Sequence, residues 1–154
     1  MPPPWFYGST TARVLLGFQY PPDRELQDGE RALACFILPP FQRPSVWTRQ
    51  QETKLIESLW AGLPVGAIVF NMLAGEPTPP DGWLLDGQQR VTAISRYLAG
   101  EFSVHGYRFT ELGRPEQRHF LTMPIACVET KMTNLEQCRD VYDRLAYGGT
   151  AHVA

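Results

Sequence analysis

The sequence has no surplus of either charge. Its 14 Lys and Arg residues stand against 16 Asp and Glu residues, a formal net charge of −2. That balance excludes a chain that holds nucleic acid chiefly by bulk electrostatics, although a local basic patch is compatible with it. Cysteine is also scarce: Cys35, Cys127 and Cys138 are widely spaced, odd in number, and each set in an apolar stretch (ALACFIL, PIACVET, EQCRDVY). With no CxxC pair and no Cys/His cluster, structural zinc is not expected. Buried, reduced thiols are expected instead, which suits a reducing compartment. No apolar run is long enough to span a bilayer, and MPPPWFYGST lacks the basic region and apolar run of a secretory signal. A cytoplasmic protein without membrane association follows. The familiar phosphate loops GxxxxGK[ST] and GxGxxG are missing too.

What is present is an ordinary globular composition, 44% hydrophobic and 19% charged over 154 residues, enough for one domain with a closed core. Residues 1–30 read as an amino-terminal extension: a proline- and aromatic-rich start, a short helix over STTARVLLGF (9–18) capped by Ser9 or Thr10, and the loop YPPDRELQDGE. From residue 31 the organisation tightens. Ala32–Leu38 has the length and apolar content of one strand, ended by Pro39–Pro40. Thr48 and Gln51 have the capping-box spacing, Leu55, Ile56, Leu59 and Trp60 recur at helical period, and Gly62 stands at the helix stop. Val65–Met72 is a buried-strand candidate, and 74–82 a surface loop. FSVHGYRF predicts a hairpin turning at His105–Gly106. Pro115–Leu121 predicts a short helix and Ile125–Glu129 a strand. Asn134 caps a helix with Leu135, Cys138, Val141, Tyr142 and Leu145 on one face, closed by Gly148–Gly149–Thr150. Strands and helices alternate without a regular βαβ rhythm, which predicts a compact α+β domain with a mixed sheet and short flanking helices.

The most pointed stretch is WLLDGQQRVTAI (83–94), where an apolar strand runs into Asp86–Gly87–Gln88–Gln89–Arg90 and then a helix. Two readings stand side by side. In the first, Asp86 caps the helix, Gln89 reaches back to it, and Arg90 is a solvent-exposed side chain. In the second, Gly87 allows close backbone approach, the free N–H groups of 87–90 present partial positive charge, and Arg90 adds a planar donor, together making a phosphate site. Asp86 sits awkwardly beside a bare anion but suits a magnesium–phosphate complex or a ribose hydroxyl. Two further stretches could join it: Gln42–Arg43–Pro44, just past the 32–38 strand, and RLAYGGT (144–150), an arginine on a helix followed by a glycine pair. The glycine pair is equally readable as a plain helix stop.

Taken together, FQRPSVW, ETKLIESLWAGLPVGAIVF, LLDGQQRVTAI and YDRLAYGGTAH resemble the amino-terminal domain of GmrSD-type restriction systems, in order and spacing over roughly residues 30–152. The family pattern R-L-N-x-G-G-T has Ala146 here in place of the asparagine. The resemblance implies a ParB/sulfiredoxin-like fold over residues 31–154 that binds a nucleoside triphosphate with magnesium and, in several members, hydrolyses it. It assigns Gly87, Gln88, Gln89 and Arg90 to phosphate contact. Asp86 is assigned to a magnesium-bound water or a hydroxyl, with Asp86 and Arg90 as the catalytic pair. Gln42, Arg43, Arg144, Gly148, Gly149 and Thr150 complete the nucleotide rim. Family members continue past the GGT motif, so the chain reads either as a minimal version, such as a phage would encode, or as a fragment.

Three functions follow as expectations. The first is a nucleotide-binding and hydrolysing switch in DNA restriction, phage defence or its evasion. Phosphoryl transfer needs positioning and charge neutralisation, which arginines, N–H groups and a metal supply. The second is a DNA-binding or DNA-cleaving module; His105, His119 and His152 are in no metal-ligand arrangement, which counts against it. The third is an inert interaction domain partnering a restriction or defence protein, with Trp5, Phe6, Tyr7, Trp47 and Trp60 as candidate anchors. Core packing is the plainer role for Trp60 and Trp47.

Overall fold

A computed structural model describes residues 8–73 and 78–148. The chain runs through strand β1 (Gly8–Val14), a 3-10 turn (Leu15–Gln19), β2 (Arg31–Leu33), β3 (Phe36–Leu38) and helix α1 (Arg49–Trp60). It continues with β4 (Ile68–Asn71), β5 (Leu84–Asp86), α2 (Gln88–Leu98), β6 (Ser103–Val104) and β7 (Tyr107–Arg108). A second 3-10 turn (Phe109–Glu111) leads to α3 (Arg114–Leu121), β8 (Pro124–Thr130), α4 (Leu135–Asp143) and a π-helical turn (Arg144–Gly148). The domain is α+β, built on a mixed four-stranded sheet of order β1-β8-β4-β5, in which β4 and β8 run parallel and the other pairs antiparallel.

Two segments differ from their sequence reading. STTARV is a strand, because every residue from Gly8 to Val14 pairs with β8, Thr11 opposite Cys127. Threonines and valine suit a pleated surface better than a helix interior, and a distant partner strand decided the matter. Only LLGFQ coils, and it buries Leu15 and Phe18 in the core. The 32–38 run is a hairpin rather than one strand: β2 and β3 pair antiparallel across Ala34–Cys35, with Ala34 at φ +54°. An apolar run hides such a fold-back, since alanine and cysteine carry no turn signal.

Elsewhere local chemistry matches the fold. Thr48 and Gln51 exchange both capping-box bonds, and Gly62 stops α1 at φ +75°. Asn134 accepts from the Glu136 and Gln137 N–H groups. The His105–Gly106 turn has both residues at positive φ and joins β6 to β7. On α4 the apolar face is narrower than its spacing implies: Cys138 and Tyr142 are buried, while Leu135 and Leu145 are exposed.

The alternation of β3 and β5 builds two cores. Phe36 and Leu84 join the larger cluster under α1 and α2 with Ile56, Phe70, Ile94 and Tyr97. Ile37 and Leu85 point the other way, to Trp83, Met132, Cys138 and Tyr142 of the α4 side. A single parallel bridge joins Ile37 to Trp83. β3 and the approach to β5 therefore run in the same direction, and the chain leaves both at the same end of the sheet. That topology brings residues 42–47 beside Asp86–Arg90. Cys35, Cys127 and Cys138 are free thiols; burial pushes Cys35 up to about 11 and Cys138 up to about 12, which keeps them protonated at neutral pH.

Candidate functional site

At that end of the sheet lies a cleft of about 670 Å³. Its floor is Asp86–Arg90 at the start of α2. One wall is the 42–47 segment, another is Leu55 and Ser58 of α1 with Pro64 and Val65, and the third is Tyr142, Leu145 and Ala146 at the α4 end.

The strand-to-helix turn depends on its glycine twice over. Gly87 holds φ +101°, and a Cβ there would stand 2.5 Å from the Ile68 Cγ2 and 3.3 Å from an Arg90 terminal nitrogen. Gly87, not Asp86, is the N-cap, and no side chain caps this end. Helical bonding begins with the Val91 N–H on the Gly87 carbonyl at 2.9 Å, so the N–H groups of Gln88, Gln89 and Arg90 have no acceptor within the helix. Asp86 is the last residue of β5. Burial raises its pKa above the ordinary aspartate value, against the pull of the Arg90 charge and the Gly87 N–H.

The side chains of the motif divide. Gln88 is buried and accepts from Gln42 Nε2, which leaves Gln42 Oε1 buried with no hydrogen-bond partner among the described residues. Gln89 does not reach back to cap the helix; its Oε1 accepts from Ser45 Oγ at 2.7 Å, the Val46 N–H at 3.1 Å and the Trp47 N–H at 3.2 Å. Arg90 is not a solvent-exposed side chain: its two terminal nitrogens donate to the Val65 carbonyl at 2.9 Å and the Ala67 carbonyl at 2.8 Å. Its distance to the Asp86 carboxylate is 3.6 Å. Gly66 leaves room for this guanidinium, since a Cβ there would meet an Arg90 nitrogen at 2.2 Å.

Arg43 lines the cleft and gives its backbone N–H to the Tyr142 hydroxyl at 3.3 Å. Tyr142 packs on Phe41 with ring centroids 5.0 Å apart. Thus Gln42, Arg43 and Asp86–Arg90 line one cleft. Arg144 does not line the cleft; it is exposed and bonds Asp140 at 3.0 Å. Its neighbours Leu145 and Ala146 line the cleft instead, carried there by the π turn that also includes Gly148. Gly149 and Thr150 lie outside the described residues. Sequence reasoning did not bring Ser45 or Tyr142 to the site; it held Trp47 as a candidate anchor with core packing the plainer role, and Trp47 packs on the core edge while lining the cleft. The FQRPSVW block and the T-x-x-Q cap spacing marked that segment in the sequence, but neither one shows that it forms a wall.

Among the described residues no group of three His, Cys, Asp or Glu side chains could hold a metal ion, and no helix is long and apolar enough to cross a membrane. The family model described as "GmrSD restriction endonuclease, N-terminal domain" matches residues 24–145. No curated protein and no solved structure matches the chain. The match covers most of the sequence, and the chain belongs to this family.

Proposed function

From that membership, we propose that the domain binds a nucleoside triphosphate with magnesium in this cleft and hydrolyses it, acting as a switch in DNA restriction or phage defence or its evasion. One observation carries the reading: the uncapped N–H end of α2, Arg43, Gln88 and Asp86 open on a single cleft of about 670 Å³. That volume lies within the ordinary range for small-ligand sites, and a helix start after a positive-φ glycine favours phosphate.

The residues fit magnesium brought in with the phosphates. Such a site needs one or two carboxylates, with waters and phosphate oxygens supplying the rest. Asp86 is a single carboxylate whose charge is under-compensated, as its raised pKa records. Asp86 would hold the metal through its bound water, and magnesium there would supply charge neutralisation for the phosphates and the leaving group. The N–H groups of 88–90 orient the phosphates, Arg43 adds a cationic rim, and Val46, Trp47 and Leu145 offer an apolar wall for the base. Arg90 contributes its charge to the floor while holding the 65–67 backbone in place.

Isothermal titration of ATP, GTP, CTP and UTP with magnesium tests this on the wild type, Arg43→Ala and Gln88→Ala. Binding of at least one triphosphate, weakened by about 1.5–3 kcal/mol when a charged hydrogen bond is lost, is expected. No binding at millimolar nucleotide overturns the proposal and moves the DNA-directed and interaction-domain readings forward.

A further inference from the structure

Residues 42–48 form neither helix nor strand, so their backbone donors have no ladder to join, yet they build one wall of the cleft. Three successive N–H groups in this stretch end on glutamine oxygens. Val46 and Trp47 donate to Gln89 Oε1 at 3.1 and 3.2 Å, and Thr48 donates to Gln51 Oε1 at 2.8 Å. The Ser45 hydroxyl joins the same Gln89 oxygen at 2.7 Å. One amide oxygen from α2 thus gathers three donors from residues 45–47, between the Arg43–Tyr142 bond on one side and the Thr48 helix cap on the other.

The geometry points to the Gln89 side chain, as distinct from its backbone N–H, as a positioning group rather than a phosphate ligand: its carbonyl oxygen sets the Val46–Trp47 wall against which the base of a nucleotide lies. The place of the base against that wall rests on the nucleotide reading of the cleft; the anchoring itself does not. A neutral amide suits the place, because it supplies an acceptor for three donors without setting a negative charge near the anion-binding end of α2. Losing that acceptor leaves two backbone N–H groups and a hydroxyl to find water, and the wall loses its fixed position. A direct phosphate contact and a wall anchor therefore predict different things. Removing a contact weakens any triphosphate, whereas removing the anchor weakens only ligands that use the wall.

The test compares Gln89→Leu and Gln89→Glu with the wild type. Amide hydrogen exchange at Val46 and Trp47 is read by NMR without ligand, and affinity is read for magnesium–nucleotide and magnesium–tripolyphosphate. In Gln89→Leu, exchange at both positions speeds up, nucleotide affinity falls about tenfold, the usual effect of one lost hydrogen bond, and tripolyphosphate affinity stays put. Gln89→Glu keeps the acceptor and restores wild-type exchange. Unchanged exchange in Gln89→Leu, or tripolyphosphate binding that falls in step with nucleotide binding, overturns the inference. If the wild type binds no nucleotide, the proposed function fails by itself, and exchange at 46 and 47 still decides whether Gln89 is the anchor.

Discussion

Glu30 with Arg24 and Asp86 with Arg90 are both carboxylate–arginine pairs, yet they are built in opposite ways. Arg24 meets Glu30 through two bonds, at 2.8 and 2.6 Å, with both side chains no more than 5% exposed. The Gln27 N–H and Trp83 Nε1 fill the remaining acceptor positions, and Arg24 also donates to the Asp81 carbonyl. Burial pushes the Glu30 pKa up, but the bonds from Arg24, Gln27 and Trp83 outweigh it and the net shift is down. Asp86 stands 3.6 Å from an arginine whose terminal nitrogens go to carbonyls, it is 41% exposed, and burial wins, so its pKa rises. The first carboxylate is closed on all sides and holds structure. The second has fewer partners and stands at the edge of a cleft, a setting that suits a functional acid.

The largest effect that would test this contrast is at Arg24. Arg24→Ala strands a buried Glu30 charge and should cost about 3–5 kcal/mol in urea unfolding; a loss near zero would remove the contrast. Arg90→Ala comes next. It leaves the Val65 and Ala67 carbonyls without their donor, for a loss of about 2–3 kcal/mol. It should also weaken nucleotide binding, so Arg43 and Gln88 are the cleaner binding probes. An Arg90→Ala protein with wild-type stability would return that arginine to the role of a free phosphate ligand.

The smallest effect is the pH response, and its sign separates the two acids. Glu30, with its lowered pKa, contributes stability above the ordinary glutamate range that is lost as pH falls through its folded value. Asp86, with its raised pKa, contributes in the opposite sense: its stabilisation is present at low pH and lost as pH rises through its folded value. Asp86→Asn should therefore leave the melting temperature at pH 7 unchanged or raised, and the gain should vanish in acid. Thermal scans from acid to neutral pH check it, and a lower melting temperature at pH 7 would show that Asp86 is a structural acid like Glu30.

Much of this was readable where short-range chemistry decides. The Thr48 box, the Asn134 cap, the His105–Gly106 turn and the D-G-Q-Q-R turn all depend on residues a few positions apart, and the helices and the hairpin fell where those signals stand. The misses share a cause. STTARV became a strand because β8, more than a hundred residues away, offered it a partner. Ala32–Leu38 folded back because β3 had to lie beside the approach to β5.

The same division runs through the cleft. The sequence by itself marked a glycine turn from strand to helix at Asp86–Arg90, and the chain makes that turn there, with Gly87 at φ +101°. It also determined the family and the α+β class. Only the tertiary structure decided that two of the motif side chains hold neighbouring segments in place. Gln89 and Arg90 find their partners at residues 45–47 and 65–67. Hydrogen bonds between segments so far apart leave no period or spacing in a single sequence, since they exist only once the sheet has set the two loops beside the helix start.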